Sequence, residues 1–316
     1  MPDAVSWTSR GLDYEPPEID TSKPHSARVY DYLLGGKDNY PPDREAAEQL
    51  IKISPLVPLV LRQNRLFMQR LTRYLAAEEG ISQFLDIGTG IPTSPNVHEI
   101  AQQANPAARV VYIDNDPIVL AHARARLTSS PEGKVVYLHA DMRADETIMT
   151  APELASTLDF SRPVALLIIS TLHFILDATE ARELLGRYVA RLAPGSFLAL
   201  SVLTGDTEVP DQRDQAISEL GVRGINVMLR NHAETTALFD GLELVRPGVV
   251  RVNRWRPDAE ADPDNLSAAL YGAVARKPLA IRRQLRDAGR RRVGDPQARV
   301  RAPGDRHEQS ALSSCL

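Results

Sequence analysis

Five short apolar runs, separated by stretches of helical periodicity, constrain this chain more than any other feature. ISQFLDI (81–87), ARVVYID (108–114), KVVYLHA (134–140), PVALLIIS (163–170) and GSFLALSVL (195–203) are almost continuously apolar. Between them lie Ser94 to Ala104, DPIVLAHARARL (116–127), a weaker helical stretch to about Leu158, and ATEARELLGRYVARL (178–192). Strands of this kind are buried on both faces, and their alternation with helices builds a parallel sheet covered on each side. The expected fold is α/β, a doubly wound Rossmann-like sheet whose ligand lies beyond the carboxyl ends of the strands. After the fifth run the pattern changes. GLELV and VVRVNRW flank Pro247-Gly248, and a two-residue turn joins only antiparallel neighbours. The sheet is therefore expected to close with that hairpin.

The 316 residues, 43% hydrophobic, hold material for one large α/β domain with additions, or for two small ones. The single cysteine, Cys315, leaves no disulfide framework and no thiolate metal site. The first twenty residues lack a signal-peptide pattern, and no window reaches the ~18 apolar residues of a membrane span, so a cytoplasmic protein is expected. From Arg276 onward there are eleven basic against four acidic residues, which leaves a net charge of −11 on residues 1–275. An acidic globular part argues against a nucleic-acid surface there; only the basic tail could offer one. The chain divides into a mobile arm (1–24), a helical cap or lid (25–79) broken at Pro55 and Pro58, the sheet domain (80–278), and a basic, disordered tail (279–316).

The chemistry gathers at FLDIGTGIPTS (84–94). Asp86 closes the first strand, Gly88 and Gly90 line the turn, and glycines there let backbone approach a ligand closely. A dinucleotide fingerprint would place a third glycine at Thr93 and an anionic pyrophosphate beside the loop, where the Asp86 carboxylate repels it. No phosphate-loop lysine is present. A ligand with an ammonium for Asp86 and a carboxylate for the loop N–H groups fits better, and the amino-acid end of methionine is such a ligand. Asp114 closes the second strand at the spacing where a carboxylate takes up a ribose diol. Asp141 and Met142 close the third, offering an acceptor for an exocyclic amine and a thioether for an aromatic face, as adenine requires. An aspartate after one strand is usually a turn residue. Three after successive strands, with a glycine loop, make a nucleoside site.

D-I-G-T-G at 86–90, Y-I-D-N-D at 112–116 and A-D-M-R at 140–143 resemble the first three motifs of class I S-adenosylmethionine-dependent methyltransferases. ARVYDYLLGGKDNY (27–40), DREAAE (43–48), DFSRPVALL (159–167), PGVV and RWRP (247–257) are similar to an actinobacterial methyltransferase-like family formerly known as a domain of unknown function. The likeness runs from about Pro24 to Pro278; Pro92 stands where the wider class often has glycine. The resemblance implies a seven-stranded sheet with an antiparallel last strand and S-adenosylmethionine as cofactor. It implies Asp86, Gly88 and Gly90 at the methionine end, Asp114 and Asn115 at the ribose, and Asp141 and Met142 at the adenine.

The acceptor is less legible. Ser170 to Phe174 follow the fourth strand and face the methyl donor, with Ser170 a further cofactor contact. His173 is the candidate general base, or else a packing residue at the start of a helix. The segment YDYLLGGKDNY is either a lid, with Tyr30, Tyr32, Gly35, Gly36 and Asn39 at the site, or a structural turn. His98, His122 and His139 share no metal-ligand spacing, so no metal is expected. An acidic, capped domain without a basic groove points to a small-molecule acceptor. The alternative is a regulatory protein that binds the cofactor without turnover.

Overall fold

The computed structural model describes residues 5–6, 19–119, 121, 129–206, 209–258 and 269–279. The basic tail beyond Leu279 and most of the expected helix 116–127 lie outside these residues, as does most of the N-terminal arm. Three helices come first: α1 (Ser26–Leu33), α2 (Pro41–Ile53) and α3 (Val57–Arg73). Pro41 and Pro58 sit in the first turns of α2 and α3, where a missing N–H costs nothing.

The sheet then follows in alternation with helices. Its strands are β2 (Gln83–Ile87), β3 (Arg109–Asp114), β4 (Lys134–His139), β5 (Ala165–Ile169) and β6 (Phe197–Leu203), after a two-residue edge strand β1 (Val5–Ser6). The helices between them are α4 (Val97–Ala104), α5 (Asp145–Thr150), α6 (Pro152–Ala155) and α7 (Ala178–Arg191). After β6 come α8 (Pro210–Val222), α9 (His232–Ala237), the short strands β7 (Glu243–Leu244) and β8 (Val250–Arg251), and β9 (Leu270–Arg276). The order is β1-β4-β3-β2-β5-β6-β9-β7, with β8 also on β9. β2 to β6 are parallel among themselves and β9 runs antiparallel to β6.

The expected closing hairpin needs correction. GLELV and VVRVNRW do not pair with each other; β7 and β8 each pair with β9, which lies between β6 and β7. Beyond β8 the chain coils into a short 3₁₀ turn and buries Trp255 completely. There the indole packs edge-on against Phe67 and Tyr74, so burial of the large ring takes precedence over extension of the strand.

Strand side chains alternate between two cores. Leu85, Ile87, Val111, Ile113, Leu166 and Leu200 pack under α7, while Phe84, Val110, Tyr112, Leu167 and Ala199 pack against α3 and α4. A third cluster joins the cap. Val29, Leu33, Ala46, Leu50 and Leu61 meet Ile225, with Ala216 and Leu220 of α8 beside them. Helix α3 serves both cores: Val60, Phe67 and Leu71 belong to the sheet core and Leu61 to the cap core. Asn64 and Arg65 fall between.

Candidate functional site

The carboxyl ends of β2 to β6 open onto a cleft of about 1780 Å³ roofed by α1, α3 and α8. A pocket for one drug-sized ligand is roughly 300–1,000 Å³, so the cleft has room for two. Asp86, Gly88, Gly90, Asp114, Asn115, Asp141, Met142, Ser170 and His173 all line it. From the cap segment Tyr30 lines it as well, whereas Tyr32, Gly35, Gly36 and Asn39 lie outside the lining.

The glycine loop is tightly tied. Gly88 and Gly90 have φ of 73° and 68°, and a Cβ on Gly88 would lie 2.3 Å from Thr171 Oγ1. Thr171 in turn donates to the Gly88 carbonyl at 3.2 Å. Both positions favour glycine for their conformation, and Gly88 needs it for space as well. Asp86 stands below the loop, 6% exposed, with its carboxyl pushed up to about 7. Burial is the main cause; Thr89 and Arg65 pull the other way and Asp114 adds a smaller upward push. A buried carboxylate so poorly solvated calls for a cation.

Asp114 is equally buried, and burial raises its carboxyl too, against hydrogen bonds from two backbone N–H groups. Its Oδ2 accepts from Gly90 N–H at 2.8 Å and its Oδ1 from Asp116 N–H at 2.9 Å. Asp114 therefore shapes the loop it faces, while each oxygen retains a further lone pair for a ligand hydroxyl. Asp141 is more open, its Oδ1 accepting from Arg143 N–H at 2.8 Å. Met142 is buried beside it, and its carbonyl accepts from Tyr188 Oη at 2.7 Å.

Ser170 occupies the left-handed region at φ 57°, held by its N–H donating to the Ser201 carbonyl at 3.1 Å and to Ser201 Oγ at 3.0 Å. Such strain in a non-glycine residue persists where surrounding contacts enforce it. A chain of hydrogen bonds runs on from there into the cap. Ser201 Oγ donates to Asn64 Oδ1 at 2.7 Å, Asn64 Nδ2 donates to Tyr30 Oη at 3.1 Å, and Tyr30 Oη donates to the Leu61 carbonyl at 3.3 Å.

His173 is 3% exposed and pushed down to about 3, first by burial and then by the Arg230 guanidinium. Among the described residues its Nδ1 has no hydrogen-bond partner, and Met228 N–H donates to its carbonyl at 2.7 Å. At neutral pH the imidazole is uncharged and too weakly basic to hold a proton.

Beside Gly35, the Asn39 amide donates to Asp31 Oδ2 at 2.9 Å and to the Gly36 carbonyl at 3.1 Å. Tyr32 Oη donates to Glu48 at 3.1 Å. This turn is organised within the cap, with Asp31 at its centre. The cap is also pinned to the cofactor edge. Arg28 of α1 pairs with Asp116 at 3.1 Å, both side chains almost wholly buried, and lies 3.8 Å from Asp43. Sequence reasoning missed Arg28, Asn64, Arg65, Ser201 and Arg230. Asn64 had a signal, being the polar member of the apolar stripe Val60, Asn64, Met68, Leu71.

A parallel sheet closed by an antiparallel strand, with an acidic residue at the end of each of two strands and just past a third, defines the class of Rossmann-like methyltransferases. Residues 13–278 match the family described as S-adenosyl methyltransferase, and the chain belongs to that family. It is 49% identical to a DUF574 family protein from Streptomyces avermitilis, with a TM-score of 0.79 over 83% of this chain and all of the other. It is 42% identical to a protein described as a candidate methyltransferase from Thermobifida fusca, with a TM-score of 0.76 over 84% of this chain and 99% of the other. No curated protein matches the chain. The cofactor is S-adenosylmethionine and the reaction is methyl transfer. Among the described residues no helix is long and apolar enough to cross a membrane.

Proposed function

We propose that the protein transfers a methyl group from S-adenosylmethionine to a small molecule with an apolar body, held between the sheet edge and the cap. One observation carries this reading: the cleft exceeds the room one ligand needs, and its two walls differ in chemistry. On the sheet side stand Asp86, Asp114 and Asp141; on the cap side stand Leu33, Leu50, Leu61, Ala216, Leu220 and Ile225. An apolar chamber recognises its ligand mainly by shape and burial.

The residues fit the cofactor. Asp86 offers the buried negative charge an ammonium needs, Asp114 and Asn115 lie where a ribose would meet them, and Asp141 and Met142 suit an adenine. The bound sulfonium supplies an electrophilic methyl group, so the protein's share is orientation and exclusion of water. Ser170 and Thr171 set the floor of the cleft. His173 serves as a neutral packing side chain rather than a base, because burial keeps it from holding a proton. The 25–40 segment acts as a buttress through Tyr30, with Tyr32 and Asn39 supporting the turn behind it. Calorimetric titration with S-adenosylmethionine, S-adenosylhomocysteine and NAD, beside Asp86→Ala, tests the reading. Micromolar binding of the first two, lost in the variant, is expected; tighter binding of NAD would overturn it.

A further inference from the structure

The RWRP segment sends its two arginines to different places. Val252–Arg254 form the 3₁₀ turn after β8, and α3 holds that turn from both sides. Arg70 of α3 donates through Nη2 to the Val252 carbonyl at 2.6 Å and through Nε to the Trp255 carbonyl at 2.9 Å. Val252, Asn253 and Trp255 are all buried, so the backbone flanking Arg254 is fixed by packing. Arg256 is committed to the protein: it donates to Glu78 at 3.0 Å, and its guanidinium lies 3.9 Å from the centre of the Tyr74 ring. Arg254 is the exposed member of the turn, and it lines the cleft. Among the described residues its guanidinium has neither a hydrogen-bond acceptor nor a carboxylate partner.

Charge is sorted along the strand ends. Asp141, Asp114 and Asp86 follow or close β4, β3 and β2, all on one side of β5. Beyond β5, past the end of β6, the cleft is lined by Asp206, Arg213, Arg251 and Arg254. Asp206, the carboxylate of that half, has its Oδ2 occupied by His232 N–H and Tyr271 Oη, each at 3.0 Å. Arg213 pairs with Asp214 at 2.7 Å, and Arg251 donates to the Asp206 carbonyl from above the Tyr271 ring. Arg65 and Arg143 belong to the acidic half, where the charge of Arg65 acts on Asp86 and Arg143 pairs with Asp141. An arginine without a carboxylate keeps its charge and its paired donors for an incoming anion. Leu56, Leu59 and Val209 also line the cleft yet stay exposed, so an apolar body that covers them removes their surface from water.

We infer that the methyl acceptor is an amphipathic anion, whose acidic group binds Arg254 while its apolar body lies along the cap. A neutral ligand filling the cleft would strip water from Arg254 and give nothing back, and a cationic one would be repelled. Because the turn beneath Arg254 is already fixed, less order has to be imposed when the anion arrives. Arg254 thus selects acceptors by charge, where the apolar wall selects only by shape and burial. This inference rests on the reading of the cleft as a methyl-acceptor site, and it names the class of acceptor which that reading leaves open.

The test is calorimetric titration of the whole protein, free and saturated with S-adenosylhomocysteine, with decanoate, decanol and decylamine, which share a tail and differ in the head. Wild type is expected to bind decanoate about tenfold more tightly than decanol, the scale of one charge-assisted contact, and decylamine most weakly. Arg254→Gln should bring decanoate to within about twofold of decanol while changing decanol by less than about threefold. Arg254→Lys should retain part of the preference. A wild type that binds decanol as tightly as decanoate would overturn the inference without recourse to a variant. So would a preference that survives Arg254→Gln, which would put the anion on another arginine of the cleft. Equal loss of decanoate and decanol in that variant would reduce Arg254 to a brace of its turn, and would overturn it too. Binding of none of the probes would remove the apolar chamber and this inference together. Failure of S-adenosylhomocysteine alone would sink the cofactor reading, and the preference among heads would still be read on the free protein.

Discussion

The two walls of the cleft are built on different principles. On the sheet wall each acidic residue stands at or just past a strand end, and ladder register sets its height. Asp86 is level with Tyr112 and Asp114 with His139. On the cap wall Tyr30, Leu61, Ala216 and Ile225 come from segments far apart in the chain and meet through apolar packing. The sheet wall carries the three aspartates; the cap wall carries most of the apolar side chains and is assembled at long range. Under the proposed function, cofactor recognition would reside in a ladder that every copy of the fold must form, and acceptor recognition in a layer that can be repacked without disturbing the ladder. Two polar joints couple them: the buried Arg28–Asp116 pair and the chain from Ser170 through Ser201 and Asn64 to Tyr30.

Breaking the first joint is expected to have the largest effect. Arg28→Ala leaves Asp116 and Asp43 buried without their cation and should cost roughly 3–5 kcal/mol of stability, read by denaturant unfolding. A loss below about 1 kcal/mol would show that the cap is not held by this pair. Asp86→Asn separates binding from stability. It should weaken S-adenosylhomocysteine by roughly 100-fold, about 2.7 kcal/mol, while raising the melting temperature at pH 8, because it removes a charge that burial disfavours. A variant that both binds and melts as wild type would refute the role given to that carboxylate.

Two buried groups of the cleft titrate in opposite senses. Asp86 in the fold holds a proton up to about pH 7, whereas the unfolded chain loses it near roughly pH 4. Its contribution to stability therefore declines as pH rises from about 4 to about 7. Binding of an ammonium needs the charged form, so S-adenosylhomocysteine affinity should fall up to about tenfold per pH unit below 7 and flatten above it, with Asp86→Asn abolishing the dependence. His173 runs the other way. Its depressed value makes the fold lose stability as pH falls from roughly 6.5 toward about 3, and His173→Gln should lessen that acid sensitivity in thermal melts. The smallest effect belongs to the turn behind the cap. Tyr32→Phe with Asn39→Ala should bind S-adenosylhomocysteine within about twofold of wild type, since neither residue lines the cleft; at most about 1–3 kcal/mol of stability is lost with the Asp31 and Arg44 contacts. A tenfold loss of affinity would restore those side chains to the site.

Much of the sheet wall was legible because its information is local. An apolar run followed by aspartate and glycine states both the strand and the position of its end. The same logic misjudged the closing hairpin. GLELV and VVRVNRW carry the right composition, but LYGAVAR competes for the same edge and pairs with β6 along its whole length, from Phe197–Arg276 to Leu203–Leu270. Seven paired positions outweigh a two-residue turn. Arg65 and Arg230 were invisible for another reason: an arginine on a helix or loop looks solvent-directed until the element packed over it is known.

By itself the sequence determined the five central strands, their parallel direction, the glycine loop and the acidic residues at the strand ends. Backbone geometry ties these to neighbours a few residues away, and no distant contact is needed to read them. The tertiary structure alone decided which strand closes the sheet, that His173 is buried, that Tyr30 faces the cleft while Tyr32 does not, and that Arg65 lines the same cleft as Asp86. Each of those outcomes depends on desolvation and on contacts between segments tens to hundreds of residues apart. Their free energies are set by the packed whole rather than by any short stretch of chain.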